Sequence, residues 1–467
     1  MTLTALVVVS FAFMSVAAMP DDASARKCFG KKVNRVIKGK NKTVRLSFKD
    51  VTWIAGNKIT AIGKPYSRIC ADRGRQFVRA GKGKSRTSTG RGNDRINLHP
   101  SSHLNVVQAG LGNDVIRGSN GNDILYGGPK KNPKGKADRD TIYGLRGNDR
   151  IYDYSGENNR LYGVTGTDSI YSLGDAVSSV YGGNGSDFIY ANGGLTSAGR
   201  SERLFGERGN DHLNGNRSPS RGPVFLDGGS GDDWLNGTSF DDTAIVHSGI
   251  VKIKMGAGND LVVATSAGRV SVDGGTGLDT LSWATHTPSA VRNFTGIRVD
   301  LGGGDVGGVG VQSLERVEDI IGSSFDDEIT GKPGVTNYIF GGIGDDTLVG
   351  QLADGDSADG GLGQNECSGF GETVSCGKDS PGNTNQRDVL VDINESGVLT
   401  VMGSTQADDI SVGYDAGMGN YRVEVNSSVP VISGLCTSLS KAGRTVTCPA
   451  SFNNLNGMNG ITFDAGF

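Results

Sequence analysis

The chain has 467 residues, of which 75 are glycine and only 12 are proline. This glycine fraction is about twice the usual one, and the absence of a Gly-X-Y period excludes collagen. Only 7% of the residues are aromatic and no long apolar run follows the N-terminal segment, which argues against a large globular α/β core. A repeat array accommodates this length as one elongated body.

The net charge of −3 is unevenly distributed. Residues 26–95 contain 21 Lys/Arg and three Asp/Glu, a local charge of +18, so the rest of the chain carries −21. The sequence therefore combines a basic N-terminal part with an acidic body.

The N-terminal residues have the pattern of a secretory signal peptide. Leu3 to Ala18 is a mostly apolar run of 16 residues, too short for a membrane span of about 20. Small residues permit cleavage after Ala18 or after Ala25. We therefore expect residues 1–25 to be a signal peptide, and the protein to be secreted, extracellular or at the cell surface, and not an integral membrane protein.

The six cysteines are consistent with an exported chain, because disulfides form outside the cytoplasm. No Cys-x-x-Cys or zinc-type Cys/His spacing occurs. Six cysteines allow 15 pairings, but they fall into neighbouring pairs. We expect local disulfides, which pair Cys28 with Cys70, Cys367 with Cys376, and Cys436 with Cys448.

One short motif recurs from residue 89 onward. Its clearest copy, Gly182–Tyr190, reads Gly-Gly-x-Gly-x-Asp and continues into a strand with Ile189 facing inward. The glycines permit positive φ and crowded carbonyls, and the Asp adds a charge, so the turn suits a hard cation such as calcium. One unit cannot fold alone, whereas stacked copies can. The candidate calcium ligands are the carboxylates that end these turns: Asp94, Asp114, Asp123, Asp149, Asp168, Asp187, Asp211, Asp233, Asp242, Asp260, Asp279, Asp327 and Asp346.

The pattern resembles the RTX, or haemolysin-type, calcium-binding nonapeptide repeat, Gly-Gly-x-Gly-x-Asp-x-U-x, over residues 89–376. This resemblance implies an all-β fold, a right-handed parallel β-roll or β-helix solenoid with two short strands and two turns per coil. It also implies several Ca²⁺ ions, each held between like turns of successive coils by Asp carboxylates and turn carbonyls. Asn365 closes a last turn without the charge.

The spacing of the motif assigns turns to the two edges of such a roll. Asp149, Asp168 and Asp187 are 19 residues apart, one coil with a one-residue bulge. The turns between them lack the motif, so only one edge is expected to carry ions there. The nine-residue pairs Asp114/Asp123 and Asp233/Asp242 place carboxylates on opposite edges, and the calcium edge is expected to switch near residue 237. Surface insertions are predicted at 129–139, 193–203 and 216–223.

The basic segment 26–88 has the short β-type runs of the same solenoid, with bases at the acidic turn positions. It cannot bind calcium there, and a stack needs an end that stops further stacking. We expect a basic N-terminal β cap. The open alternative is a cationic patch for anionic cell-wall polymer or polysaccharide. Aromatic residues interleaved with bases are sparse, which argues against nucleic acid.

A tyrosine ladder accompanies the roll at steps of 9 and 10 residues. Each ring follows an inward apolar residue and is therefore expected to face outward, with alternate members stacked at about 4.8 Å. The ladder either protects the sheet or forms a flat platform for sugar rings. Its members are Tyr143, Tyr152, Tyr162, Tyr171, Tyr181 and Tyr190.

The last third of the chain departs from the repeat. Residues 281–331 break the period and are expected to continue the roll through wider coils. Residues 377–388 read as a polar linker, and residues 389–467 alternate as the strands of a small C-terminal β module.

No catalytic constellation is recognisable: neither His-Glu-x-x-His nor Gly-x-Ser-x-Gly occurs, and the five histidines are scattered. The sequence predicts a secreted calcium-binding repeat protein whose roll folds on extracellular calcium, with a structural or adhesive role at the cell surface. The alternative is an extracellular polysaccharide-modifying enzyme, of the lyase or epimerase type, on a β-helix.

Overall fold

The structure is a computed structural model, and every structural statement below concerns the residues it describes. These are residues 27–47, 51–129, 138–154, 156, 158–174, 178–191, 201–215, 222–265, 269–284, 296–303, 305–307, 311–351, 355–361, 363–374 and 376, and eight strands between 389 and 465. The predicted signal peptide, the linker at 377–388 and most of the three predicted insertions lie outside them.

The described chain is all-β, with no helix, and it winds into a parallel β-solenoid of about 15 turns. The prediction of a parallel β-roll or β-helix is confirmed. One wall, sheet 1, consists of parallel strands: β6 (Gln76–Arg79), β8 (Arg95–Asn97), β10 (Val115–Arg117), β12 (Thr141–Arg146), β14 (Asn159–Thr165), β16 (Ser178–Asn184), β18 (Glu202–Arg208), β20 (Val224–Asp227), β22 (Thr243–Val246), β24 (Leu261–Ala264), β26 (Thr280–Ser282), β30 (Asp319–Ile321), β32 (Tyr338–Phe340), β34 (Ser357–Asp359) and β36 (Glu372–Val374).

The opposite wall, sheet 2, takes the strands that alternate with these along the chain. They are β5 (Arg68–Ala71), β7 (Arg86–Arg91), β9 (Val106–Leu111), β11 (Ile124–Tyr126), β13 (Arg150–Asp153), β15 (Ser169–Ser172), β17 (Phe188–Ala191), β19 (His212–Asn214), β21 (Trp234–Asn236), β23 (Ile250–Ala257), β25 (Arg269–Thr276) and β29 (Val311–Glu315). After β29, the alternating strands β31 (Glu328–Thr330), β33 (Thr347–Val349) and β35 (Glu366–Ser368) belong to a separate five-stranded sheet.

The basic segment forms the first coils of this solenoid. Strands β3 (Arg35–Arg45) and β4 (Val51–Ile62) pair in parallel over their whole length, and each is long enough to contribute to both walls. Before them, β1 (Lys27–Cys28) and β2 (Lys31–Lys32) pair antiparallel. The predicted Cys28–Cys70 disulfide is present and ties this hairpin to β5.

A single inward side chain per short strand builds the core. Ile151, Ile170 and Ile189 lie in register on sheet 2, and Ile142 and Leu161 do so on sheet 1; all five are 0% exposed. Period-two alternation turns the flanking residues outward, and burial of one such aliphatic side chain contributes roughly 1.5–3 kcal/mol. Each coil is therefore stabilised by its neighbours and not by a core of its own.

The irregular segment 281–331 continues the solenoid, as predicted, but it also inserts a hairpin. Strands β29 and β30 pair in parallel with β25 and β26, which carries both walls forward. The strands β27 (Arg298–Asp300) and β28 (Asp305–Gly307) pair antiparallel, and β27 pairs in parallel with β31. The Cys367–Cys376 disulfide, also predicted, lies further along the chain and ties β35 to Cys376.

The C-terminal strands form two separate four-stranded sheets. The predicted Cys436–Cys448 pair lies partly outside the described residues, because Cys436 is not among them. The strands are β37 (Val389–Ile393), β38 (Leu399–Gly403), β41 (Pro430–Ile432) and β44 (Ile461–Ala465) in one sheet, and β39 (Ile410–Asp415), β40 (Asn420–Val425), β42 (Thr437–Ser438) and β43 (Thr445–Pro449) in the other.

The tyrosines form two outward ladders, one on each wall. On sheet 1 the rings of Tyr143, Tyr162 and Tyr181 follow one another at 4.8 Å within 8° of parallel, and Phe205 continues the row. On sheet 2 a second row runs through Tyr126, Tyr152, Tyr171 and Tyr190. An inner ring is covered on both sides by its neighbours, so the rows present edges and hydroxyls to solvent and protect the sheets. The rows offer no continuous flat platform for sugar rings.

No helix in the described part of the chain has the length and hydrophobicity to span a lipid bilayer.

Candidate metal centre

The turn at Gly182–Asp187 shows why the motif requires glycine. Gly183 and Gly185 adopt φ values of 111° and 134°, in the left-handed region that side chains disfavour. A Cβ on Gly185 would also collide with the backbone carbonyl oxygen of Gly166 in the preceding coil. The turns of successive coils therefore stack backbone on backbone, and Asp187 enters its strand with its side chain buried at 1% exposure.

Turns stacked in this way line up their carboxylates in columns along the two edges. We call edge 1 the side where the chain passes from sheet 1 to sheet 2, and edge 2 the side where it returns. On edge 1, Oδ1 of Asp168 accepts the backbone N–H of Asp149, and Oδ1 of Asp187 accepts that of Asp168, both at 2.7 Å. Each carboxylate thus fastens its own turn to the turn before it.

All thirteen predicted residues lie in these columns and are at most 3% exposed. The switch of edge near residue 237 is present, because Asp233 ends a column on edge 1 and Asp242 begins one on edge 2. Edge 1 holds Asp123, Asp149, Asp168, Asp187, Asp211 and Asp233, and later Asp327 and Asp346. Edge 2 holds Asp94 and Asp114, and later Asp242, Asp260 and Asp279.

The second carboxylate oxygen divides the predicted residues into two groups. In ten of the thirteen, Oδ2 is buried and accepts no hydrogen bond. A buried carboxylate oxygen without a donor destabilises the fold by kilocalories per mole unless a proton or cation satisfies it. The ten are Asp94, Asp114, Asp149, Asp168, Asp187, Asp211, Asp233, Asp260, Asp279 and Asp346.

Asp123, Asp242 and Asp327 differ from these ten, because the second residue of their own turn satisfies Oδ2. The backbone N–H of Ser119 donates to Oδ2 of Asp123 at 2.7 Å, and the backbone N–H of Ser323 does so to Asp327 at 2.6 Å. Thr238 makes the same contact to Asp242. These turns read Gly-Ser/Thr-x-x-x-Asp instead of Gly-Gly-x-Gly-x-Asp. Their carboxylates need no cation to be satisfied.

Seven of the ten unsatisfied oxygens face a glycine at the first position of their turn, namely those of Asp149, Asp168, Asp187, Asp211, Asp233, Asp279 and Asp346. A Cβ on Gly163 would collide with Oδ2 of Asp168 and lie close to the carbonyl oxygen of Gly182 in the next coil. The corresponding glycine, Gly341, has the same relation to Asp346 and to the carbonyl oxygen of Gly360. A carboxylate oxygen of one coil near a backbone carbonyl oxygen of the next coil, in space that glycine leaves open, fits Ca²⁺.

The columns raise the pKa of their carboxyl groups. Burial is the main cause, and it raises the pKa of Asp149 to about 8, of Asp168 to about 7 and of Asp187 to about 6. For Asp149 and Asp168 the charge of the next Asp in the column adds to the rise, while the hydrogen bond from the backbone N–H of the preceding column Asp opposes it. A metal-free column therefore retains protons near neutral pH, and a bound cation would displace them.

Within the described residues, no three Asp, Glu, His or Cys side chains converge as a compact metal cluster. Each turn contributes one carboxylate to its column, so an ion between two turns has to complete its coordination with backbone carbonyls or water. This donor set is the one that the oxygen-lined turns provide.

Sequence reasoning missed two column residues on edge 2, Asp140 and Asp356, whose Oδ1 atoms accept the N–H groups of Asp114 and Asn337. Asp140 is 1% exposed on edge 2, its Oδ1 accepts the N–H of Asp114 at 2.8 Å, and its Oδ2 accepts no hydrogen bond. A Cβ on Gly127 would meet that Oδ2. The insertion thus separates the glycines of this motif, Gly127-Gly128, from its Asp140. In the sequence, only the segment that follows the turn, Asp140-Thr141-Ile142-Tyr143, matches the repeat.

Residues with a side-chain amide, Asn or Gln, lie at the ends of the columns. Asn105 and Gln76 donate their backbone N–H groups to Asp123 and Asp94, the first carboxylates of edges 1 and 2. Asn159 follows Asp140 on edge 2, and Asn365, the turn predicted without charge, follows Asp346 on edge 1. An amide supplies the same Oδ1 acceptor without a charge, and sequence spacing identified only the last of these four.

The family model described as RTX calcium-binding nonapeptide repeat (4 copies) matches residues 102–129, 134–170, 178–194, 197–218 and 220–244. A search of curated proteins finds no relative of the chain. The matched segments contain the edge 1 column from Asp123 to Asp233 and the split turn at Asp140. Within residues 102–244, the matched segments of this β-solenoid are thus similar to the RTX calcium-binding nonapeptide repeat.

Proposed function

We propose that the protein is exported and that its roll is completed by calcium outside the cell, where it serves as a structural or adhesive element at the cell surface. The observation that carries the calcium part is the set of ten buried Oδ2 atoms that accept no hydrogen bond. We assign these ten carboxylates, and Asp140, as ligands. Asp123, Asp242 and Asp327 act as structural fasteners of their turns.

The energetic consequence is large because the sites are many. At a free calcium concentration ten times the dissociation constant, one site contributes roughly 1.4 kcal/mol. About six to ten independent sites would contribute on the order of 8–14 kcal/mol, comparable to the whole stability of an ordinary domain. A glycine-rich chain with stacked charges is then unfolded without calcium and folded at the millimolar calcium for which extracellular modules are tuned.

Circular dichroism of the full chain, titrated with Ca²⁺ and back-titrated with chelator, tests this proposal. We expect the β signal and a cooperative melting transition to appear with calcium. Mg²⁺ at the same concentration should not reproduce them, because it dehydrates reluctantly and demands a tighter octahedral site. An unchanged β signal and melting temperature after complete calcium removal would overturn the proposal.

Export and surface location are supported by residues 1–25, which read as a signal peptide, and by the disulfides Cys28–Cys70 and Cys367–Cys376. The test is cell fractionation with and without residues 1–25. Recovery of the intact chain inside the cell in both cases would refute this part.

For the cell surface we propose an anionic polymer as partner, and its contact is a row of arginines on sheet 1. Arg45, Arg79 and Arg117 occupy the same outward register position in alternate coils, and all three are exposed. At about 4.8 Å per strand their spacing is roughly 10 Å along the solenoid axis. This spacing suits a linear polyanion that lies parallel to the axis.

The polymer contact is tested by binding to an anionic polysaccharide at increasing salt. Binding should weaken as ionic strength rises, and Ala substitutions at Arg45, Arg79 and Arg117 should abolish it. Ala substitutions at the exposed Lys252 and Lys254 of sheet 2 remove similar charge elsewhere and serve as the control. Binding that is insensitive to salt, or lost equally in both variants, would contradict the assignment.

A further inference from the structure

A pocket of about 280 Å³ lies on the outer surface of sheet 1, outside the carboxylate columns. Its walls include the rings of Tyr181 and Phe205, the carboxylates of Glu207 and Asp227, and the imidazole of His247. None of these five residues is a column carboxylate, although Glu207 lies in the calcium-type turn that ends at Asp211.

The pocket is located where the aromatic row of sheet 1 ends. Tyr162, Tyr181 and Phe205 occupy one register position in successive coils, and the Tyr181 and Phe205 rings stack at 4.8 Å. In the next coil Asp227 takes that same position. The carboxylate of Asp227 therefore occupies the position at which another aromatic ring would continue the row.

The second carboxylate comes from the turn beside the row. Glu207 replaces the motif's second glycine and keeps its positive φ, at 75°. Leu145 and Val164 do the same in earlier coils, with φ values of 82° and 86°. The strained backbone is thus tolerated in several turns, and what distinguishes Glu207 is the charge that it presents at the pocket.

The carboxylates outnumber the bases at this pocket. Oδ1 of Asp227 accepts the backbone N–H of Gly229 at 3.0 Å and lies 3.1 Å from Nε2 of His247. In the part of the chain that the structure describes, no Lys or Arg forms an ion pair with Glu207. Burial and the charge of Asp227 raise the pKa of Glu207, so the pocket favours a positive charge.

We propose that this pocket binds a small organic ammonium ligand, of the size of one amino-sugar ring. The apolar CH face of the ligand packs against the face of Phe205 that Tyr181 does not cover, and a ring face of this kind also attracts a cation. The ammonium group donates to Glu207 and Asp227 in charge-assisted hydrogen bonds. An anionic sugar is repelled, and a bare divalent cation finds no oxygen ligands on the aromatic wall. The volume admits one ring and excludes a folded partner.

The test uses the full chain, saturated with calcium, and three ligands that share one ring. Calorimetric titration compares glucosamine, which is charged, with N-acetylglucosamine and glucose, which are neutral. We expect glucosamine to bind roughly tenfold or more tightly than either neutral sugar, the difference that one charge-assisted hydrogen bond makes. Equal affinity for all three sugars, or no binding of glucosamine, would overturn the proposal.

Two variants tie the binding to this pocket. Glu207→Gln keeps the shape and should remove the preference for glucosamine, whereas Glu315→Gln, an exposed acid on sheet 2, should leave it unchanged. Circular dichroism at the same calcium concentration verifies that each variant is folded, so a failure of calcium-dependent folding is seen separately. Displacement of glucosamine by additional calcium would assign the pocket to the metal and contradict the ammonium ligand.

Discussion

The substitution Asp346→Asn should change the stability of the roll with opposite sign in the presence and absence of calcium. Asp346 is 1% exposed, its Oδ1 accepts the N–H of Asp327 at 2.9 Å, and its Oδ2 accepts no hydrogen bond. The next coil shows how an amide fits the position. Oδ1 of Asn365 accepts the N–H of Asp346 at 2.9 Å, and its Nδ2 donates to the Gly361 carbonyl at 3.3 Å.

The magnitude in the metal-free state follows from the pKa of this carboxyl group. Burial, together with the neighbouring Asp327, Asp326 and Asp345 charges, raises the pKa of Asp346 from 3.8 to about 7. At about 1.36 kcal/mol per pH unit, the ionised group destabilises the folded chain by up to roughly 4 kcal/mol at pH 8. Asn removes this term, so the metal-free variant should be more stable than the wild type. In calcium the variant loses at least one site, about 1.4 kcal/mol at ten times the dissociation constant.

The assay is denaturation followed by circular dichroism, in calcium and in chelator at pH 8. Without metal the chain is expected to be largely unfolded, so the stability in chelator is measured by adding an osmolyte, which favours the folded state. The control is Glu315→Gln, the same loss of one carboxylate charge at an exposed position of sheet 2, which should stay within about 0.5 kcal/mol of wild type in both conditions. Destabilisation of similar size with and without calcium would refute the reasoning, because it would make Asp346 a structural residue only.

Three further predictions test the columns, the core and the turns. The metal-free roll should lose stability as the pH rises from 5 to 8. In the folded chain the pKa values of Asp187, Asp168 and Asp149 are about 6, 7 and 8, against 3.8 in the unfolded chain. The folded chain therefore binds more protons than the unfolded chain in this range, and raising the pH favours unfolding. Calcium affinity should rise over the same range, and calcium titrations at each pH check both statements; a flat profile would contradict them. Ile189→Ala should destabilise by about 2–5 kcal/mol in saturating calcium, because Ile189 is 0% exposed; a loss below about 1 kcal/mol in urea denaturation would argue against a one-residue core layer. Gly185→Ala should destabilise far more than Gly334→Ala: both have positive φ, which alone costs about 1–2 kcal/mol, but only Gly185 meets a backbone oxygen, that of Gly166. Equal melting temperatures of these two variants would refute the stacked-turn contact.

The repeat pattern was sufficient to predict the solenoid, because its physical signals are local. Asp149, Asp168 and Asp187 recur at one coil length, and each is followed by an outward–inward–outward triplet. Given that period, stacking is the only way to bury one aliphatic side chain per strand. The spacing of the motif also predicted the change of edge between Asp233 and Asp242, and the alternation of inward and outward residues predicted the outward tyrosine rows.

The sequence did not distinguish the two kinds of turn. Asp123 and Asp149 both end a turn of the repeat, but only the structure shows that Ser119 donates to Oδ2 of Asp123 and that Oδ2 of Asp149 accepts no hydrogen bond. Asp140 was missed because an insertion separates it from Gly127, and the two become neighbours only when the coil closes.

The amino-acid sequence by itself determined the period, the inward and outward faces and the positions that carry charge, because these depend on residues a few places apart. The tertiary structure decided which oxygens lack a donor, where amides end a column and how Glu207, Asp227 and His247 come together around a pocket. Each of these depends on which coil lies against which, and that is settled by the lengths of insertions and by backbone stacking between coils, not by the motif within one coil.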